Sequence, residues 1–335
     1  MEQARVSAII TAFNGEPFIA AAIESVLGQT RPVDEIVVVD DGSTDGTAAI
    51  VERYRSRGVR LVCQENRGIS EARNRGIAET TGNLIAFLDC DDLWVPEKSE
   101  RQIQHLLDKP EVGLITCDPW WWDIQTNQCE VRPLRPGNTQ SAIRRKLAIR
   151  NYLGNASGIV VRRSALDAVG VFDPAEIWAE DWEMWRRIAS RFDVSIVRSP
   201  LMVYRANPYS LTHQRLGERP DGYYALARRA IRSEKALWRP LLLLHALAWR
   251  EYFKTIYARD QNRRWQYVLH ALASFLCWPI EETSGKLRLI ARALLGERIF
   301  TVYKSLARPT PPRAPVFSLK GSASGSTEGH PPGWR

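Results

Sequence analysis

Four short apolar runs, each followed at once by a polar cluster, constrain this chain more than any other feature. They are VSAIITAF at 6–13, EIVVV at 35–39, RLVC at 60–63 and LIAFL at 84–88. They are too short and too continuously apolar for surface helices, and fit parallel strands covered on both faces. Helical patterns separate them. Residues 18–27 keep apolar groups at helical spacing, 44–57 opens with Ser43 or Thr44 as a helix cap, and 70–79 carries its own cap in Ser70. This βαβα order predicts a three-layer α/β domain with right-handed crossovers. With 335 residues, 44% of them apolar, there is room for one substantial core and a second, smaller unit.

In an open parallel sheet, ligands bind beyond the carboxyl ends of the strands. The polar residues gather at those ends: Thr11 and Asn14, then Asp40, Asp41, Gly42 and Ser43, then Asn66 to Gly68, then Asp89, Asp91 and Asp92. Asp40 with Asp41 reads equally well as a helix cap. Asp89, Asp91 and Asp92 are harder to explain that way. Adjacent carboxylates repel one another, and are tolerated when solvated or when a divalent cation neutralises them.

The series Thr11-Ala12-Phe13-Asn14, Val39-Asp40-Asp41-Gly42-Ser43-Thr44-Asp45, Asn66-Arg67-Gly68, Ala72-Arg73-Asn74-Arg75-Gly76 and Asp89-Cys90-Asp91-Asp92 resembles the family 2 glycosyltransferases of GT-A fold. Gly154-Asn155-Ala156-Ser157 and Glu180-Asp181-Trp182 look like the acceptor-side loop and the Glu-Asp pair of that family, so the resemblance covers residues 5–205. It implies a GT-A catalytic domain over 1–215 with a mixed, mostly parallel sheet, its nucleotide-sugar half at 1–110 and its acceptor half at 111–215. It implies donor contacts from Thr11, Phe13, Asn14, Asp41, Asn66, Arg73 and Asp89, with Asp41 accepting from a base N–H and Arg73 near the diphosphate. Asp91 would ligate Mg²⁺ or Mn²⁺, and Asp181 would be the catalytic base. The donor would be a UDP-, GDP- or dTDP-sugar, and the acceptor a glycan or a lipid-linked sugar.

Elementary chemistry agrees with that assignment. Cleaving a sugar from a nucleoside diphosphate leaves negative charge on the departing oxygen, which a cation stabilises. The attacking hydroxyl must lose a proton to a base on the opposite face. One base without a second, nucleophilic carboxylate means single displacement with inversion. Glu180-Asp181 also reads as a helix start, because 181–186 has helical character and acids favour a first turn. The two readings are compatible. Trp120, Trp121, Trp122, Trp178, Trp182 and Trp185 could stack on sugar or fill core; Trp182, beside the proposed base, is the first choice for an acceptor contact.

Charge divides the chain. Residues 1–200 carry 24 basic and 29 acidic groups, net −5, whereas 201–308 carry 19 and 8, net +11. The basic part, 216–307, reads as two or three helices whose apolar positions (Leu241 to Leu244, Leu247, Trp249, Phe253, then Trp265, Val268, Leu269, Leu272, Phe275, Leu276) are flanked by Arg228, Arg229, Arg239, Arg250, Arg263 and Arg264. Such helices suit an anionic membrane surface, or a hairpin with a solvated rim. No uncharged window reaches the length of a spanning helix. The Pro- and Gly/Ser-rich tail at 308–335 is expected to be disordered. Five scattered cysteines without a CxxC pair, and no leader pattern at the N-terminus, predict a cytoplasmic protein peripheral on the inner face of the cell membrane. No nucleic-acid motif accompanies the charge. A processive synthase is disfavoured, since spanning helices and a Gln-x-x-Arg-Trp motif are absent. Two other readings remain: a sugar-phosphate nucleotidyltransferase, although TAFNGEP at 11–17 offers neither its glycine-rich phosphate loop nor its arginine, and an idle sugar-nucleotide-binding scaffold.

Overall fold

A computed structural model describes residues 3–177, 179–206, 219–261 and 264–277. Trp178, the residues after 277 in the basic part and the whole tail at 308–335 lie outside the described residues. Those described fall in two compact units, the first within Met1–Arg144 and Asn151–Asn207, the second within Arg145–Arg150 and Pro208–Pro312.

The four apolar runs form the strands β1 (Val6–Ala12), β2 (Glu35–Asp40), β3 (Val59–Cys63) and β4 (Leu84–Asp89). All four run parallel, in the spatial order β3-β2-β1-β4. Alternate residues serve two cores. Val6, Ala8, Ile10, Val38 and Leu88 face one side of the sheet with Ile19 and Ile23 of α1 (Ile19–Leu27), while Val37 and Val39 face the other with Ala72 of α3 (Ile69–Glu79). Burying one such isoleucine contributes roughly 1.5–3 kcal/mol. Helix α3 lies unusually close to β1. A Cβ on Gly76 would sit 2.3 Å from Cγ2 of Ile9, so glycine is required for this approach.

Helix α2 (Thr47–Glu52) begins later than its sequence pattern suggests and gives way to a 3-10 turn at Arg55–Arg57. Ser43 and Thr44 are not its cap. Ser43 Oγ donates to Asp40 Oδ1 (2.5 Å) and accepts from Asn14 N (2.9 Å), and Asn14 Oδ1 accepts from Thr44 N (2.9 Å). Asp45 then holds Thr47 N and Oγ1 (3.0 and 2.5 Å). These side-chain bonds keep 41–46 out of the helix. Ser70 is likewise inside α3 rather than capping it, because Gly68, at φ 89°, turns the chain into the helix.

The sheet continues through elements with weaker sequence signals. These are β5 (Leu93–Trp94), β6 (Val112–Asp123), β7 (Gln128–Val131), β8 (Val160–Arg162) and β9 (Asp193–Ala206), giving nine strands in the order β3-β2-β1-β4-β8-β6-β9-β5 with β7 beside β6. β8 is antiparallel to both β4 and β6, and β9 is parallel to β6. Two reversals restore direction, so β4, β6 and β9 end on the same edge. The long β6–β9 ladder breaks where Asp118 faces Pro200 and Pro119 follows, since neither proline can donate to it. Helices α4 (Lys98–Asp108), α5 (Gln140–Leu147), α6 (Arg163–Val169) and α7 (Glu180–Arg191) complete the first unit. The mixed, mostly parallel sheet between helical layers is the GT-A architecture expected from the resemblance.

The second unit contributes α8 (Arg219–Ile231), α9 (Arg239–Asp260) and α10 (Arg264–Cys277). Polar groups tie α9 to α10: Ser274 Oγ donates to Ala248 O (2.8 Å), and His270 Nδ1 meets Glu251 Oε2 (2.6 Å). Leu242, Trp249 and Val268 are buried within the unit, whereas Leu237, Trp238, Leu241, Leu244, Leu269, Leu272 and Leu276 are exposed. The expected apolar faces are therefore only partly used for packing. Among the described residues no helix is long and apolar enough to cross a membrane.

Candidate active site

The shared strand edge brings the acidic residues together through one guanidinium. Arg73, on α3 and only 4% exposed, donates from Nη2 to Asp89 Oδ1 and from Nη1 to Glu180 Oε1, both at 3.0 Å. Asp89 ends β4 and Glu180 opens α7, so two acidic segments ninety residues apart in sequence line one site. The guanidinium lies 5.3 Å from the centre of the Phe172 ring, and its Nε is buried without a partner. Burial alone would ease its deprotonation, but Asp89, Glu180 and Asp181 outweigh that and push its pKa above the ordinary arginine value. The cation is permanent. Each Nη group spends one N–H on a carboxylate and keeps a second.

The three carboxylates of the acidic turn have different surroundings. Asp89 Oδ1 also accepts from Thr11 Oγ1 (3.3 Å), and Asp89 N donates to Ser157 Oγ (3.1 Å). Asp92 is fully buried: Oδ2 accepts from Asn155 Nδ2 (2.5 Å) and Ser157 Oγ (2.6 Å), and Oδ1 from Arg205 N (3.1 Å). Among the described residues no side chain is hydrogen-bonded to the Asp91 carboxylate, and burial together with the Asp89 charge, only partly opposed by Arg205, raises its pKa to about 6. An under-compensated carboxylate in the same turn as Asp89 is where a hard cation would relieve repulsion. Mg²⁺ and Mn²⁺ fit such a site, since one or two protein carboxylates suffice when diphosphate and water complete the shell. Among the described residues no cluster of three or more His, Cys, Asp or Glu side chains offers a closed metal cage. Asp92, spent on neutral donors inside the fold, is not available as a ligand.

The remaining candidates line the ends of β1 to β3. Asp41 Oδ1 accepts from Gln64 Nε2 (2.7 Å) and Arg67 N (2.9 Å), and Oδ2 from Gly68 N (2.8 Å). It therefore shapes the loop before α3 and keeps lone-pair capacity on Oδ2 for one further donor. Gly42, at φ 79°, lets Asn66 N approach to 2.7 Å of where its Cβ would be. Asn14 stands in the left-handed region at φ 49°, spending its side chain on Thr44. Phe13 is 42% exposed and Asn66 is exposed, so both face solvent at this edge.

At the start of α7, Asp181 Oδ2 accepts from Asn151 Nδ2 (3.1 Å), and Oδ1 from Trp182 N (2.5 Å). Both bonds fix the carboxylate at the first turn of α7. Trp182 is 1% exposed and Trp185 fully buried, the latter edge-on to Phe172 at 5.7 Å. Trp182 is core and cannot stack on an acceptor. Trp122 is buried, whereas Trp120 and Trp121 are both half-buried, Trp121 lying against Tyr204 (4.4 Å) and Arg132 (3.9 Å). Two site residues carried no clear sequence signal: Asn151 sits in a loop without periodicity, and Arg205 stands at the end of a strand already interrupted by Arg198 and Pro200.

Known proteins resemble this chain in sequence and in fold. A glycosyltransferase of Nostoc sp., itself uncharacterized, is 32% identical over 52% of this chain and 57% of its own length. An Escherichia coli protein named as a UDP-Glc:alpha-D-GlcNAc-diphosphoundecaprenol beta-1,3-glucosyltransferase is 39% identical over 32% of this chain and 43% of its own. The chain thus spans about half the length of these curated relatives. Among solved structures, the mannosyltransferase of Pyrobaculum calidifontis in complex with GDP-Man and Mn²⁺ shares the fold at a TM-score of 0.59 and 22% identity, over 91% of this chain and 84% of its own. The sequence profile described as glycosyl transferase family 2 matches residues 7–170, and this part of the chain belongs to that family.

Proposed function

We propose that this protein transfers a sugar from a nucleotide-sugar to a hydroxyl of a glycan or lipid-linked acceptor, by a single displacement that inverts the anomeric carbon. The observation that carries the reading is the Arg73 bridge, 3.0 Å from both Asp89 and Glu180, which places the acidic turn and the start of α7 in one site. When bound beside Asp91 and Asp89, Mg²⁺ or Mn²⁺ supplies a Lewis acid for the leaving diphosphate.

The chain's own residues do the rest. Asn151 orients the Asp181 carboxylate at the start of α7, so that it accepts the acceptor's proton as the new bond forms; such help contributes about 10² to 10⁴ in rate. Glu180, engaged by Arg73, is withdrawn from acting as a nucleophile, which favours one displacement over two. Phe13 and Asn66 offer an exposed ring and amide to the nucleotide, Thr11 and Asn14 shape its floor, and the spare capacity of Asp41 accepts a base N–H. A UDP- or GDP-linked donor suits these groups. A lipid-linked acceptor is supported by the E. coli relative's name, and attachment to the inner face of the membrane by the exposed leucines and the positive charge of the helical unit.

The test is Asp181→Asn. Nucleotide binding, followed by protection against thermal unfolding with a panel of nucleotide-sugars and Mn²⁺, is expected to persist within a few-fold, while transfer falls by at least about 10². A substantially active Asp181→Asn protein refutes the assigned base. Retention of the donor's anomeric configuration in the product refutes inversion.

A further inference from the structure

Arg205 closes β9, is 6% exposed, and spends its guanidinium on main-chain oxygens. Nε donates to the carbonyl of Asp91, and Nη2 approaches those of Cys90 (3.3 Å), Phe18 (3.4 Å) and Asp92 (3.5 Å). The Phe18 ring lies 5.0 Å away, and Arg205 N separately holds Asp92 Oδ1 at 3.1 Å. Burying a guanidinium without a paired carboxylate is costly. Simple anchoring does not demand it, since Asp92 already has neutral donors in Asn155 and Ser157. What an arginine adds is a planar fork that spans consecutive carbonyls and fixes their planes together, which a lysine's point charge cannot do.

We infer that Arg205 is a positioning residue for the proposed metal ligand Asp91, setting the backbone from which that carboxylate projects. The inference rests on the proposal that Asp91 binds the metal. It also makes the acidic turn, which belongs to the donor half, depend for its shape on the last residues of β9 in the acceptor half. Outer groups that orient metal ligands typically account for about 10- to 100-fold in affinity.

The test reads Mn²⁺ affinity by electron paramagnetic resonance, with UDP and with GDP present, on the full chain carrying Arg205→Met, Arg205→Lys or Asp91→Asn, and checks folding by circular dichroism. Expected is at least tenfold weaker Mn²⁺ binding in Arg205→Met, without full rescue in Arg205→Lys, and a larger loss in Asp91→Asn. Mn²⁺ affinity in a folded Arg205→Met protein within twofold of the parent, alongside a weakened Asp91→Asn, overturns the role of Arg205 alone. An unaffected Asp91→Asn overturns the metal assignment and this inference with it. Should Arg205→Met not fold, Arg205→Lys decides: parental affinity there shows that charge suffices and refutes the fork.

Discussion

Lys98 opens α4, is 1% exposed, and has its Nζ 4.1 Å from the centre of the Trp94 ring. Burial lowers its pKa from 10.5 to about 8, an effect that the neighbouring Cys117 only partly opposes. Replacing it by methionine keeps the length and removes the charge. Between about pH 8 and 10.5 the unfolded chain binds this proton and the folded one has lost it, so folding of the parent gains stability as pH rises through that window. Below pH 8 the folded protein carries the whole penalty. The difference of about 2.5 pH units corresponds to about 3 kcal/mol at roughly 1.4 kcal/mol per unit, and loss of the ammonium–indole attraction takes back about 1 kcal/mol. Lys98→Met is therefore expected to stabilise the protein by about 2 kcal/mol at pH 7, with the advantage fading toward pH 10.5. Urea midpoints followed by tryptophan fluorescence at pH 7, 8, 9 and 10 measure it. Destabilisation at pH 7, or a difference that does not change with pH, would refute a charged, uncompensated Lys98. The outcome bears on the site as well, because Trp94 Nε1 donates to Ser157 O (2.9 Å), and Ser157 Oγ in turn contacts Asp92 and Asp89.

Other perturbations test the packing around the site. Arg73→Met leaves the half-buried Asp89 and Glu180 without their cation, and is expected to cost about 2–4 kcal/mol in urea unfolding at pH 7, somewhat less than for a fully buried pair; a cost below about 1 kcal/mol would mean that water already screens both carboxylates. Gly76→Ala forces a methyl group against Cγ2 of Ile9 and is expected to cost about 1–3 kcal/mol, and less than that in an Ile9→Ala background, which lacks the clashing carbon, when the two are compared in a double-mutant cycle. Trp182→Ala is expected to lose about 3–5 kcal/mol of stability, since the ring is core; a folded protein of parental stability with a raised KM for acceptor alone would instead make it a substrate contact.

What the sequence revealed depended on whether a residue's environment is set locally. β1 to β4 were legible because both faces of each are buried, which leaves an unbroken apolar run that few other structures tolerate. β6 and β9 were not, since Pro119, Pro200 and Arg198 interrupt them and their ladder forms around those breaks. β5 and β8, two and three residues long, exist only through their neighbours. The start of α7 announced itself by its acids, whereas the start of α2 was misjudged because Asn14, thirty residues away, competes for Thr44 N. Asp91 and Asp181 could be singled out by chemistry and resemblance. The pairing of Arg73 with Glu180, 107 residues apart, could not, because nothing in either segment encodes the other.

That pairing explains how two runs of adjacent acids can each yield one reactive carboxylate. Charges so close would ordinarily share their protons and blur their roles. Here the neighbours are removed from competition by different means: Asp92 by neutral donors and a backbone N–H inside the fold, Asp89 and Glu180 by the two arms of one guanidinium. On the proposed reading Asp91 is then the carboxylate that a cation would meet, and Asp181, bonded to Asn151 Nδ2, the one that would take the proton. Because the Arg73 charge is held above the ordinary arginine range, the cation's part in this arrangement does not lapse as pH rises. A lysine at that position could neutralise one carboxylate but not span both, so the two acidic segments would lose their common reference point even if the net charge of the site were unchanged.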